Sequence, residues 1–132
     1  MTGAPEAIHE GGCACGAIRF RVGGRPQRAG LCHRMTCRKA HGAVFNPFIV
    51  FLRTAVEITG EARSWESSPG DLRWFCNACG SRVFETCGDH IEISMGSFDK
   101  ANAFSPQYEM WVMHREAWLP PLLVPQFARN RE

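Results

Sequence analysis

Two stretches decide the fold: Gly12-Cys13-Ala14-Cys15-Gly16 near the start of the chain, and Phe75-Cys76-Asn77-Ala78-Cys79-Gly80 beyond its middle. Each presents two cysteines at close spacing, followed by a glycine. Together they supply four thiolates, the number that a closed tetrahedral zinc site needs. A chain wrapping a metal calls for a residue at positive φ, and glycine adopts that conformation with no Cβ clash. Two independent redox dithiols are the competing reading, but paired knuckles with following glycines suit a metal better. The pattern predicts one structural zinc held by Cys13, Cys15, Cys76 and Cys79, clipping the beginning of the chain to its middle.

Working outward, the 132 residues suit a single domain, 1–132, with its core over about 9–120. Seven cysteines in a chain whose Met1–Gly12 stretch has no apolar leader segment read as metal ligands rather than disulfides. Cys87 has no other cysteine at knuckle spacing and is read as a buried or free thiol rather than a ligand. The apolar run Phe48–Leu52 falls far short of the ~18 residues of a spanning helix. The expectation is a soluble, cytoplasmic protein with no membrane partner. A net charge of +2, with acids and bases interleaved, gives no electrostatic case for nucleic acid. Nothing in the pattern fixes an oligomeric state.

Residues 1 to 7 read as a loose tail. Strands are expected over Gly16–Val22, Arg28–Cys32, Ala43–Leu52, Val56–Thr59, Ala62–Glu66, Leu72–Cys76, Arg82–Thr86, His90–Met95 and Glu109–Met113. Pro47 is expected to force an edge position or a bulge. One helical turn or a loop is expected over Thr36–His41. Short strands punctuated by glycine and proline, with no sustained 3.6-residue period, predict an all-β domain of small antiparallel sheets.

A second cluster lies in Leu31-Cys32-His33-Arg34-Met35-Thr36-Cys37-Arg38-Lys39. The two knuckles, this cluster, Gly96-Ser-Phe-Asp99 and the run Trp111 to Trp118 come in an order that resembles the glutathione-dependent formaldehyde-activating enzyme family. That family also includes the centromere protein V domain. The resemblance covers about residues 9–120 and implies a zinc-bound β-tent whose first zinc is held by Cys13, Cys15, Cys76 and Cys79. It further implies a carbon–sulfur lyase that joins formaldehyde to the glutathione thiol, or splits the adduct S-hydroxymethylglutathione. The founding members use a second, catalytic zinc on a Cys-x-Cys-x-x-Cys pattern, in which a bound substrate thiol is deprotonated.

This chain departs from that pattern at its middle position. In Cys32-x-Arg34-x-x-Cys37 the second thiolate is replaced by arginine, which cannot ligate a metal. His33 is adjacent to Cys32 and strained as a co-ligand, and His41 could join Cys37 only from a helix. The second zinc is therefore expected to be absent or weakly held. Cys32, Cys37 and Arg34 are the catalytic candidates, with the thiol pKa values lowered by Arg34, Arg38 and Lys39. Such a pocket suits a small anionic thiol or thiol adduct such as that of glutathione. The lyase reading leads; a catalytically silent zinc-stabilised binding module and a thiol-redox sensor on Cys32 and Cys37 are the alternatives. Asp99 reads as a turn residue. Trp74, Trp111 and Trp118 read as core or pocket wall, and Tyr108 and Arg115 as further pocket candidates. Glu109 stands where some members carry a histidine.

Overall fold

A computed structural model describes residues 7–131; the tail expected over residues 1 to 7 lies, but for its last residue, outside them. Ten strands form: β1 Ile8–Gly12, β2 Arg19–Gly23, β3 Arg28–Cys32, β4 Asn46–Leu52, β5 Val56–Thr59, β6 Ala62–Ser68, β7 Asp71–Cys76, β8 Arg82–Cys87, β9 His90–Ser94 and β10 Glu109–Met110. Among the described residues one α-helix, α1, covers Met35–His41 between β3 and β4. The strands make a three-stranded sheet, β1-β2-β5, and a seven-stranded sheet, β10-β3-β4-β9-β8-β7-β6. All pairs are antiparallel except the two-residue β10, which runs parallel to β3. The expected all-β domain is the one found. Among the described residues no helix is long and apolar enough to cross a membrane.

Strand β4 organises the packing. Its run Phe48-Ile49-Val50-Phe51 is apolar at every position because both faces are covered. Ile49 and Phe51 point into the main core with Ile18, Phe20 and Val22 of the small sheet side, and with Val83, Ile91 and Ile93. Phe48 and Val50 point the other way, against Cys32, Cys37 and Tyr108. The functional cluster thus sits on the second face of the large sheet, under α1.

Several expectations need correction. Pro47 lies in an interior strand, not at an edge. Leu31 gives its amide to the Tyr108 carbonyl, 3.1 Å away, so the Leu31–Pro47 pair exchanges no hydrogen bond. The proline nitrogen then faces β9, whose pairing begins only at Phe48. No ladder bond is asked of it there. Of the helical turn or loop expected at Thr36–His41, the helical form is the one found, extended to seven residues over Met35–His41. The strand expected over Glu109–Met113 stops at Met110, because Trp111 turns into the left-handed region at φ 57°. Strand β1 was not expected; its sequence IHEGG, ending in two glycines, carries little alternation to read.

Gly11 of β1 bridges to Phe98, and a Cβ there would lie 2.2 Å from the Ser97 carbonyl oxygen and 2.5 Å from Phe20 Cζ. Backbone cannot yield to that overlap. Gly11→Ala is expected to destabilise the domain by roughly 3 kcal/mol, at the upper end of overpacking costs, read as a lowered urea midpoint at unchanged slope.

Candidate active site and metal centre

The first knuckle leads into β2 and the second is the turn between β7 and β8. Each is a tight turn: the Gly16 amide donates to the Cys13 carbonyl at 3.1 Å, and the Gly80 amide to that of Cys76 at 2.9 Å. Both glycines have positive φ, 84° and 78°. The turns are tied together by the Ala14 amide, which donates to Ser81 Oγ at 3.0 Å. Four sulfurs, those of Cys13, Cys15, Cys76 and Cys79, converge so that all lie within 4.8 Å of one another. Backbone amides point at them: Ile18 N lies 3.1 Å from Cys13 Sγ, and Ala78 N 3.3 Å from Cys76 Sγ.

The proton chemistry of this group fits a cation. Hydrogen bonds from the Ser81 side chain and amide, and from Cys15, bring Cys79 down to about 5. Cys15 accepts from the Ala17 amide, but Cys13 and Cys79 beside it push it up to about 11. Four thiols this close cannot all ionise alone; a divalent ion at the centre would relieve the crowding. The residues therefore fit a metal, and Cys13, Cys15, Cys76 and Cys79 would hold it.

The second site is a cavity of about 110 Å³ whose walls include Cys32, Arg34, Cys37, Arg73, Glu85, Glu92 and Trp111. Cys32 ends β3, Arg34 precedes α1 and Cys37 sits in its first turns, so all three predicted residues reach one cavity. Among the described residues two cysteines, Cys32 and Cys37, reach this cavity. Among the described residues only the four knuckle cysteines form a group of three or more convergent ligands. His33 is fully buried and its Nε2 lies 2.7 Å from Glu109 Oε1, so that nitrogen is taken. His41 shares α1 with Cys37 but lines a different cavity with Lys39 and Arg82.

The cation beside the thiols is Arg73 of β7, which the sequence did not single out. It is 3% exposed; its Nη2 lies 3.7 Å from Cys37 Sγ and 3.6 Å from Glu85 Oε1. Its Nε and Nη1 are buried without a partner, so the charge needs anions nearby. Arg38 faces away, donating to the His114 carbonyl at 2.8 Å, and neither Arg38 nor Lys39 lines the cavity. A hydrogen bond with Cys32, and then the Arg73 charge, bring Cys37 down to about 6 despite burial. Cys32 moves the opposite way from the expectation: the bond with Cys37 and burial push its thiol up. The pair is one thiolate and one thiol.

Arg34 lies over the Trp111 ring, 5.6 Å from its centroid. The indole N–H of Trp111 donates to Asn130 Oδ1 at 3.0 Å, and its amide to the Arg129 carbonyl at 2.8 Å. These contacts hold a bulky residue in a conformation that costs about 1–3 kcal/mol. Glu109 is buried, and hydrogen bonds from Gln126, His33 and the Leu122 amide hold it ionised against burial. It anchors the C-terminal segment to the Cys32 loop. Trp118, expected as core or wall, is instead exposed, while Tyr108 packs against Phe48 and Phe127. Arg115 reaches Glu109 rather than the cavity. Asp99 pairs with Arg19 at the surface, and Cys87 is an exposed free thiol.

These features define a small β-domain with four cysteines placed to hold a metal and a separate cavity lined by Cys32 and Cys37. The sequence model of the glutathione-dependent formaldehyde-activating enzyme matches residues 8–114, and the chain belongs to that family. A crystal structure of a Rhodobacter sphaeroides protein superposes with a TM-score of 0.59 at 17% identity, over 71% of this chain and 91% of that one, a likeness of fold. No curated protein sequence matches the chain.

Cys76→Ser is expected to lower bound metal by about one ion per chain, read by elemental analysis of the purified protein, and to reduce the yield of protein in the soluble fraction. Unchanged metal content would refute the four-cysteine centre. Iodoacetamide should label Cys37 with a midpoint near pH 6, and Arg73→Met should move that midpoint upward, since it removes the cation that favours the thiolate.

Proposed function

We propose that this chain is a carbon–sulfur lyase acting on a small thiol–aldehyde adduct such as S-hydroxymethylglutathione. The observation that carries the reading is the Cys37 thiolate held against the buried Arg73 in a small cavity, within a chain of the formaldehyde-activating family. The ion at Cys13, Cys15, Cys76 and Cys79 is taken as zinc, because four thiolates in two knuckles suit its tetrahedral preference. With its coordination filled by protein, it supplies stability and no chemistry.

The reaction is a reversible proton-coupled addition. In the joining direction, the Cys37 thiolate takes the proton of the substrate thiol as its sulfur attacks the aldehyde carbon. In the splitting direction, the Cys37 thiol returns that proton to the departing sulfur. Cys32 keeps Cys37 ionised by donating a hydrogen bond. Arg73 stabilises negative charge at this end of the cavity. A volume of about 110 Å³ is well below the roughly 300 Å³ of a drug-sized pocket, so only the reacting thiol and one-carbon unit enter. The rest of the molecule lies outside, where Arg34 on the Trp111 face can meet a substrate carboxylate. Neither membrane nor nucleic acid enters this reading.

Purified protein with about one zinc per chain should accelerate the decay of S-hydroxymethylglutathione over the uncatalysed rate. Cys37→Ser should lose at least ~10²-fold of that acceleration, as removal of an acid–base group does. No acceleration by the zinc-loaded wild type would favour a silent binding module instead.

A further inference from the structure

The register of the large sheet sets one row of side chains across neighbouring strands. Arg28 of β3 stands opposite Val50 of β4, Val50 opposite Glu92 of β9, Glu92 opposite Glu85 of β8, and Glu85 opposite Arg73 of β7. The row lies on the face that α1 covers with Cys37. Two carboxylates directly opposite each other across a strand pair repel. Glu85 has Arg73 within 3.6 Å, whereas no described cation forms an ion pair with Glu92. Both line the cavity. Glu92 is faced by Arg28 and Cys32 from β3, Glu85 from β8, Arg73 from β7, Cys37 from α1, and the Tyr108 phenol. Two guanidiniums thus meet more acidic groups than they can neutralise, so the set favours keeping a proton.

We propose that Glu92 is the proton donor of this site: set against Glu85 across β8 and β9, it delivers its proton to the aldehyde oxygen as the thiol sulfur attacks the carbon. This rests on the lyase reading above. Burial, then Glu85, then Cys37, push the Glu92 carboxyl up to about 8, against the pull of Arg28 and Arg73. At neutral pH the cavity therefore holds an ionised thiol and a protonated acid, the inverse of their ordinary states. That division suits an acid–base pair. Cys37 removes the S–H proton, the C–S bond forms, the C=O electron pair moves to oxygen, and the Glu92 proton goes to that oxygen. The product is the hemithioacetal, with a Cys37 thiol and a Glu92 carboxylate. Transfer of one proton from Cys37 to Glu92 through solvent resets the site, so no other reactant is needed.

The test compares wild type with Glu92→Gln, which keeps the size and neutrality of the protonated acid; zinc content confirms that it folds. With carbon-13 labelled glutamate, wild type should show one carboxyl titrating near pH 8 that the variant lacks. A Glu92 that titrates in the ordinary carboxylate range overturns the proposal without any activity assay. Adduct formation from glutathione and formaldehyde should follow a bell with limbs near pH 6 and pH 8 in wild type. Glu92→Gln should lose roughly 10²-fold in kcat with little change in KM, together with the alkaline limb. Glu92→Asp should recover part of the rate and a shifted limb. Full activity with an unchanged alkaline limb in Glu92→Gln removes Glu92 and leaves the lyase standing. No turnover in wild type ends the lyase reading, and the donor role with it. A separate readout is stability. The unfolded carboxyl ionises near 4.5 and the folded one near 8, so wild type loses stability as pH rises between them, and Glu92→Gln should show a flatter Tm profile there.

Discussion

Four sulfurs within 4.8 Å of one another are the constraint on which the molecule depends. Cys15 and Cys76 meet although 61 residues separate them. Their meeting joins the entry of the three-stranded sheet to the β7–β8 turn of the seven-stranded one. A domain this small buries too little surface to hold two sheets together with a wide margin. A metal that needs all four ligands at once converts its binding energy into folding energy. The backbone amides aimed at the sulfurs and the Ala14–Ser81 bond show that the surrounding turns are shaped around that centre.

With the turn fixed, β7 and β8 are set in register, and that register creates the second site. Arg73, Glu85 and Glu92 fall on one face only because β7, β8 and β9 pair as they do. A buried arginine occupies the place beside the thiols where a positive charge is needed. It cannot ligate, but in a poorly solvated cavity it favours a thiolate as a nearby cation does. The chemistry available is therefore proton transfer around a fixed cation, with Cys32 tuning Cys37 and Arg34 facing outward. The segment after residue 114 completes the wall: Asn130 holds Trp111, and Gln126 and Leu122 bind the Glu109 that orients His33.

Several strands were legible because β2, β5 and β9 each bury one face and so alternate. β4 was legible as a strand but not in its place, since Pro47 signals an edge unless its neighbours' hydrogen-bond partners are known. The two glycines at positive φ were legible because only a tight turn needs them. Arg38 and Lys39 were named as the activating cations because they are close to Cys37 in sequence. On α1 they project away from Cys37, and the cation that matters comes from a strand 36 residues on. Trp111 gave no sign of its left-handed backbone, which depends on partners at Arg129, Asn130 and Arg34.

The sequence by itself determined which four cysteines converge, the all-β class and the family, because residue type, knuckle spacing and strand period are local properties. It also determined that the second site lacks a third thiolate, since Arg34 stands in that position. Only the tertiary structure decided which charges act on Cys37, and that Glu92 opposes Glu85 above it. Strand register sets those distances, and the electrostatics of a buried group follow distance and solvation rather than order along the chain.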